Sequence, residues 1–432
     1  MGMGGKDNSA SAVTRGSAMD TRLVALDALR GIAVMGILTM NIIAFALPEN
    51  AYIAPGLAGT GAATSGDTAS WLTAFVLFDG KMRGLFSLLF GASLYLIAQR
   101  ADRGDGNAAS VHYNRMVWLG LFGALHFFLI WWGDILFLYA VIGCLAFMMK
   151  DAETKTLIVT ALAVYAIGMA LMCLSLAALF KIEAAAQAPD ASAASIEKLR
   201  SFLAGFSDAA AQQEIAVYRS DYWQILHYRL GLYWRPLSML MQSGTETFPL
   251  MLLGMAGLRS GFIAGQWASR RYWQVVAYLL LPGLLLYAVL GYLAWRSDFD
   301  PILSLNIVAG WSMLPRLMTT LGYAALFLIL IRALAGTSLL DQLAAAGRAA
   351  FTNYLGTSIL MTSIFYGYGL DLFARVSRPT LWLFVLGAWV LMLAWSKPWL
   401  DRFHYGPLEW LWRSLARRAL QPMRRKTATI QT

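Results

Sequence analysis

Charge is scarce in this sequence. Only 13% of its residues are Asp, Glu, Lys or Arg while 59% are hydrophobic, too little polar cover for a water-soluble surface. Cysteine is almost missing: Cys144 and Cys173 both sit in apolar runs, at no spacing that suits a disulfide framework or a thiolate metal site. Histidine occurs four times, too scattered for a metal cluster. No Walker A loop, GxGxxG, CxxC pair or HExxH stands in the chain, so ATP-driven transport and zinc hydrolysis have no basis in sequence. The first twenty residues also lack an apolar run followed by a small-residue cleavage site, and the first hydrophobic stretch therefore reads as a retained anchor.

What is present is a succession of apolar runs of the length that crosses a bilayer as helix. The alternating pattern of a membrane β-barrel is not seen. The fold expected is all-α, a polytopic transmembrane helix bundle of about ten spans, near residues 28–47, 71–98, 113–132, 134–149, 156–180, 236–258, 272–295, 305–333, 349–370 and 379–396. Two of them, 71–98 and 305–333, read as broken. The organisation that follows is a disordered cytoplasmic tail at 1–24, five spans over 25–180, an interfacial amphipathic segment at 181–235, five spans over 236–398 and a basic tail at 399–432.

The formal charge of +10 does not point to nucleic acid, because the basic residues fall in short clusters between apolar runs. They follow the positive-inside pattern. Alternating the ten spans from a cytoplasmic N-terminus puts most of the 34 Lys and Arg inside, leaves the 48–70 loop with none, and collects Arg413, Arg417, Arg418, Arg424, Arg425 and Lys426 in the cytoplasmic tail. A bacterial inner-membrane protein with both termini in the cytoplasm is the expectation. The 181–235 segment, with Tyr218, Tyr222, Trp223, Tyr228, Tyr233 and Trp234 near its end, then lies on the outer face.

Ionisable groups inside spans cost roughly 2.5–3.5 kcal/mol each and need a partner, a wet cavity or a function. His126 is the only histidine deep in an apolar run; it is either a structural hydrogen-bonding residue or a base or proton relay, and Asp134 is placed to orient its imidazole. Asn41 either bonds another helix or faces a ligand path. Eleven residues at 100° each return Asn41 to within about 20° of the face that holds Arg30, whose own i to i+3 neighbour Asp27 can form an interfacial ion pair. Glu246 lies in a polar patch, 242–247, closed by Pro249, which reads as a broken helix beside a cavity. Asp79, Lys81 and Arg83 interrupt the second span. At the inner side Arg348 and Asn353 open the ninth span, where a phosphate-bearing donor could dock or where the positive-inside quota alone is met.

The run Leu26-Asp-Ala-Leu-Arg-Gly-Ile-Ala-Val-Met-Gly-Ile-Leu-Thr-Met-Asn41 resembles the YeiB-like family of bacterial multi-pass membrane proteins, catalogued partly as a domain of unknown function. The resemblance continues through Phe86-Ser-Leu-Leu-Phe-Gly-Ala, His126 with Gly133-Asp-Ile-Leu-Phe-Leu-Tyr139, Leu253-Gly-Met-Ala-Gly-Leu-Arg-Ser-Gly-Phe262, Gly347-Arg-Ala-Ala-Phe-Thr-Asn-Tyr354 and Tyr405-Gly-Pro-Leu-Glu-Trp-Leu-Trp412. That family is similar to a wider group of transmembrane acyltransferases that includes heparan-α-glucosaminide N-acetyltransferase. The resemblance implies transfer of an acyl group from cytosolic acyl-CoA, acetyl-CoA foremost, to a small-molecule or glycan acceptor across the membrane, with no metal. On the residues themselves, the site for such a transfer takes His126 as base oriented by Asp134, Asn41 as hydrogen-bond donor, and Glu246 beside them. Asp27, Arg30, Arg348 and Asn353 serve acyl-CoA, and Tyr52 stands where the lysosomal enzyme's pattern has its catalytic histidine. Membrane lipids are the expected surroundings, a homodimer is left open, and two rival readings stay on the table: a transporter or exporter of a small or lipidic metabolite, and a non-enzymatic scaffold.

Overall fold

The computed structural model describes residues 7–102 and 107–425. Among these residues the secondary structure is helical, apart from one isolated bridge between Phe403 and Arg424. In chain order the helices are α1 (Asp7–Ala46), α2 (Ser65–Leu77), α3 (Lys81–Asp102), α4 (Ala108–Leu125), α5 (Leu136–Phe147), α6 (Thr154–Gln187), α7 (Ala193–Ala204), α8 (Asp208–Tyr218) and α9 (Tyr222–Gly231). They continue as α10 (Arg235–Arg259), α11 (Ser269–Val275), α12 (Leu281–Arg296), α13 (Pro301–Leu305), α14 (Met313–Ala333), α15 (Ser338–Arg348), α16 (Ala350–Phe365), α17 (Arg378–Arg402) and α18 (Pro407–Arg417). The stretch read as a disordered tail, 1–24, is thus already helical from Asp7, in continuity with the first span; residues 1–6 lie outside the described residues.

The protein is a polytopic helical bundle. Among the described residues seven stretches are long and apolar enough to cross a membrane: Val24–Ala46, Ser65–Gln99, Ala108–Ile130, Thr154–Gln187, Ser269–Arg296, Met313–Ala333 and Arg378–Arg402. The other three expected spans are α5, α10 and α16, and each departs from that standard for a physical reason. α5 and α16 have only 12 and 16 residues, and α10, with 25, carries the polar patch before Pro249. α10 is not broken there, contrary to the reading of the sequence: it runs as one helix through Pro249.

Burial orders the helices. The most apolar window of α1 is 83% buried, against 28% or less in α4, α6, α11–α12 and α17, so α1 is the central post and the others face lipid. Its neighbours approach closely because small residues stand at the crossings. A Cβ on Gly31 would fall 2.1 Å from the Leu343 carbonyl of α15, and one on Gly254 of α10 would fall 1.9 Å from the Leu88 carbonyl of α3. Glu409 of α18 accepts hydrogen bonds from Phe351 N and Thr352 N at 2.7 and 3.0 Å, capping the start of α16.

At one end of the bundle α7, α8 and α9 form a cap with the 48–64 connection. Glu49 N donates to Glu214, Asn50 Nδ2 to Gly205 O at 2.5 Å, and Gln212 Nε2 to Gly59 O at 2.6 Å. The segment expected to be interfacial is therefore helical and packed on the bundle.

Candidate active site

Near the capped end α4 gives way to a wide turn of π-helix, His126–Ile130, in which Trp131 N donates to His126 O at 2.8 Å. The chain then extends through Trp131 and folds back, with the Trp131 ring lying over Gly133, where any Cβ would meet the indole at 2.3 Å. This return sets Asp134 beside His126. His126 Nδ1 and Asp134 Oδ1 are 2.8 Å apart, and Asp134 Oδ2 accepts from Phe137 N, also at 2.8 Å, at the head of α5. Both side chains are 1% exposed. With the carboxylate accepting at Nδ1, the imidazole presents Nε2 as its free nitrogen, and that atom is buried without a partner. Tyr354 of α16 closes the site: its ring lies 5.3 Å from that of His126, and its hydroxyl donates to Gly133 O at 3.2 Å. Asp134 also borders an apolar cleft of about 260 Å³ between α4, α5 and the start of α10, lined by Phe127, Phe128, Tyr233 and Leu237.

A second polar cluster lies deeper, where two spans break. α2 ends at Leu77 and α3 begins at Lys81; between them Gly80 has φ +67°, and a Cβ there would meet Arg316 Nε at 2.1 Å. Opposite, Asn306–Trp311 forms a π-turn before α14. Cationic side chains serve the carbonyls that these breaks leave open. Lys81 Nζ donates to Phe75 O and Asp79 O at 3.0 and 3.3 Å, and Arg316 Nη2 to Val308 O at 2.9 Å. Arg316 also pairs with Asp79 and Glu246, each at 3.1 Å, and Glu246 with Arg83 at 2.9 Å. Tyr52 donates to Asp79 Oδ1 at 3.0 Å. The polar residues of the second span therefore mark the break between α2 and α3.

The sequence-derived residues divide accordingly. His126 and Asp134 come together. Glu246 does not join them, because its carboxylate is held by Arg83 and Arg316; this corrects its catalytic reading to that of a buried counter-ion. Asn41 shares a face of α1 with Val34 and Ile37, which pack in the cluster holding Tyr354, and with Phe45, which stacks on Trp131 at 4.0 Å. It therefore faces the dyad segment, half-buried and without a side-chain hydrogen bond among the described residues. Arg30 pairs with Asp27 at 2.9 Å and reaches Ser93 at 2.8 Å, about a quarter of it exposed. Arg348 is exposed at the end of α15. Asn353 is not available to a ligand: its Nδ2 donates to Ala346 O and Ser396 Oγ, and its Oδ1 accepts from Trp395 Nε1, so it joins α16 to α17. No group of three His, Cys, Asp or Glu among the described residues has the geometry of a metal site.

Comparison with known proteins places this arrangement. A family described as "Protein of unknown function (DUF418)" matches residues 258–419. The uncharacterized protein YeiB of Escherichia coli K12 is 33% identical over 413 residues, 94% of this chain and 99% of its own. The chain belongs to the YeiB-like family. The uncharacterized protein YxaH of Bacillus subtilis 168 is 28% identical, again across 94% of this chain and 97% of its own. No solved structure matches. The DUF418 match takes in Arg316, Tyr354 and Glu409, whereas the His126–Asp134 pair lies in the part of the YeiB-like chain that precedes it.

Proposed function

We propose that this protein is an acyltransferase of the bacterial inner membrane, with both termini in the cytoplasm and the cap on the outer face. It moves an acyl group from cytosolic acyl-CoA to an acceptor reached from that face. The observation that carries the reading is the His126–Asp134 pair at 2.8 Å with Nε2 left free inside the bundle. A neutral imidazole oriented by a carboxylate is a general base, and the same carboxylate stabilises the imidazolium that forms. The acceptor gives its proton to Nε2 and attacks the thioester carbonyl carbon. The C–S bond breaks, and the thiolate takes the proton back from the imidazolium, leaving free CoA and the acylated acceptor.

Asn41, on the face of α1 that meets this segment, is placed to donate to the carbonyl oxygen. Arg30 and Arg348 supply positive charge at the opposite end of the bundle, where the CoA phosphates would dock. The test is release of free CoA from acetyl-CoA by purified protein supplied with a membrane extract as acceptor source. His126→Gln keeps hydrogen bonding without proton acceptance and should lower turnover by about 10²–10⁴-fold with acetyl-CoA binding retained. Turnover equal to wild type in that variant rejects the mechanism.

One observation favours a second reading, a proton-coupled transporter: the Asp79–Arg316–Glu246–Arg83 network lies deep in the bundle at two broken spans. Gradient-driven flux with no free CoA formed would select it.

A further inference from the structure

The cap covers a group of hydrogen-bond donors that meet no acceptor. Arg229, on α9, is 0% exposed. Its Nε reaches Ile225 O at 3.4 Å, while Nη1 and Nη2 have no partner. Two further buried donors are equally unmatched, the Tyr366 hydroxyl and Trp131 Nε1. All three belong to one neighbourhood. Ile225, one turn before Arg229, packs in the same apolar cluster as Trp131, Tyr218, Tyr366 and Phe373, and Tyr218 lies 4.8 Å from the Tyr366 ring. Arg229 acts electrostatically on the Tyr218, Tyr366 and Tyr368 phenols.

The cap's carboxylates are engaged elsewhere. Glu214 accepts from Glu49 N at 3.1 and 3.2 Å, Glu49 pairs with Arg235, and Asp371, in the neighbouring turn after α16, pairs with Arg375 through Oδ2 while its Oδ1 is buried without a partner. None of them forms an ion pair with Arg229 among the described residues. A buried guanidinium without a counter-charge is an arrangement that folding avoids, and a trapped water would satisfy its N–H groups but not its charge. The missing partner is an anion with at least two oxygens, which the planar fork of arginine holds bidentately.

We infer that the space beneath the cap binds an oxyanion, a carboxylate or phosphate group, through Arg229 with Tyr366 and Trp131 as neutral donors. The site stands on this geometry alone. Its use does rest on the acyl-transfer reading: the π-turn against which α9 packs, with Tyr222 donating to Leu129 O at 3.1 Å, is the one that begins at His126. The Trp131 ring is 6.2 Å from the imidazole. An acceptor anchored at Arg229 by its acidic group would thus hold its nucleophile towards Nε2, which makes the acceptor an anionic molecule.

The experiment uses the full chain in phosphatidylcholine nanodiscs, with chloride as the only small anion, and reads the unfolding midpoint as phosphate or acetate is added. A saturable rise is expected in wild type. Arg229→Met removes an uncompensated charge, so it should unfold at the wild-type midpoint or above it without added anion and lose the response. Tyr366→Phe, which keeps the ring, should weaken the response several-fold and serves if the arginine variant does not fold. A wild type that ignores both anions but retains one phospholipid in native mass spectrometry, absent from Arg229→Met, identifies the oxyanion as a lipid phosphate. No response and no retained lipid overturns the site, as does a response unchanged in both variants. Free CoA is measured separately, so its absence would sink acyl transfer and leave anion binding standing.

Discussion

Single residues carry the contrasts of this molecule, because one polar side chain within an apolar bundle has to find its partner. Glu246 is the clearest case. Its carboxylate faces Arg83 and Arg316 at 2.9 and 3.1 Å, and removing one member of a buried ionic group leaves the others uncompensated, at a cost of about 3–5 kcal/mol. Glu246→Leu should therefore lower the denaturation midpoint sharply, and adding Arg316→Met should recover part of the loss; a double variant whose loss is the sum of the two singles would show that they do not couple. His126 and Asp134 were legible because a histidine within an apolar run, followed by a turn that holds an aspartate, has few ways to be satisfied. Arg316, a cation between Pro315 and Leu317 within an apolar span, is a sequence signal of the same kind. That Asn353 ties α16 to α17 is not legible in sequence, because Ala346, Trp395 and Ser396, which satisfy it, meet it only in space. The burial of Arg229 was not legible at all, since it depends on how α9 docks.

At the scale of elements, the spans follow from hydropathy and the break at 78–80 from the charges Asp79, Lys81 and Arg83, whereas the π-turn at 306–311 lies in a run without charge. Pro249 is not decisive, because α10 continues as one helix through it. The cap is the element whose behaviour depends on pH. Burial, with the Glu49 charge assisting, pushes the Glu214 carboxyl up to about 7, against the opposing effects of the Glu49 N–H and Arg235. A carboxyl raised in the folded state stabilises the fold while it is protonated, so its contribution is complete at acid pH and is lost as pH rises from about 4.5 through 7. Backbone amides of 205–231 should accordingly exchange faster at pH 8 than at pH 5.5 once intrinsic rates are divided out. Glu214→Gln should flatten that difference, and a profile identical to wild type would detach the cap from this group.

The molecule as a whole has one end closed by α7–α9 and the other carrying α15, α18 and the basic tail. The basic residues gathered at the latter end support the proposal that the capped face lies outside. A cysteine placed at position 61, in a chain whose Cys144 and Cys173 are replaced by serine, should react with an impermeant maleimide in intact cells. Labelling only after the cytoplasm is opened reverses the assignment.

The shortness of α5 also bears on how the site meets the membrane. Twelve residues make a helix of about 18 Å, well under the roughly 30 Å of hydrocarbon that a bilayer presents. Most residues of α5 are buried against α3, α4 and α10, with Leu145 the one exposed position, so the shortfall is met inside the bundle and not by lipid. A helix too short to span on its own is thus held at its depth by its neighbours, and a change in the chain length of the surrounding lipid should leave the imidazole's surroundings as they are.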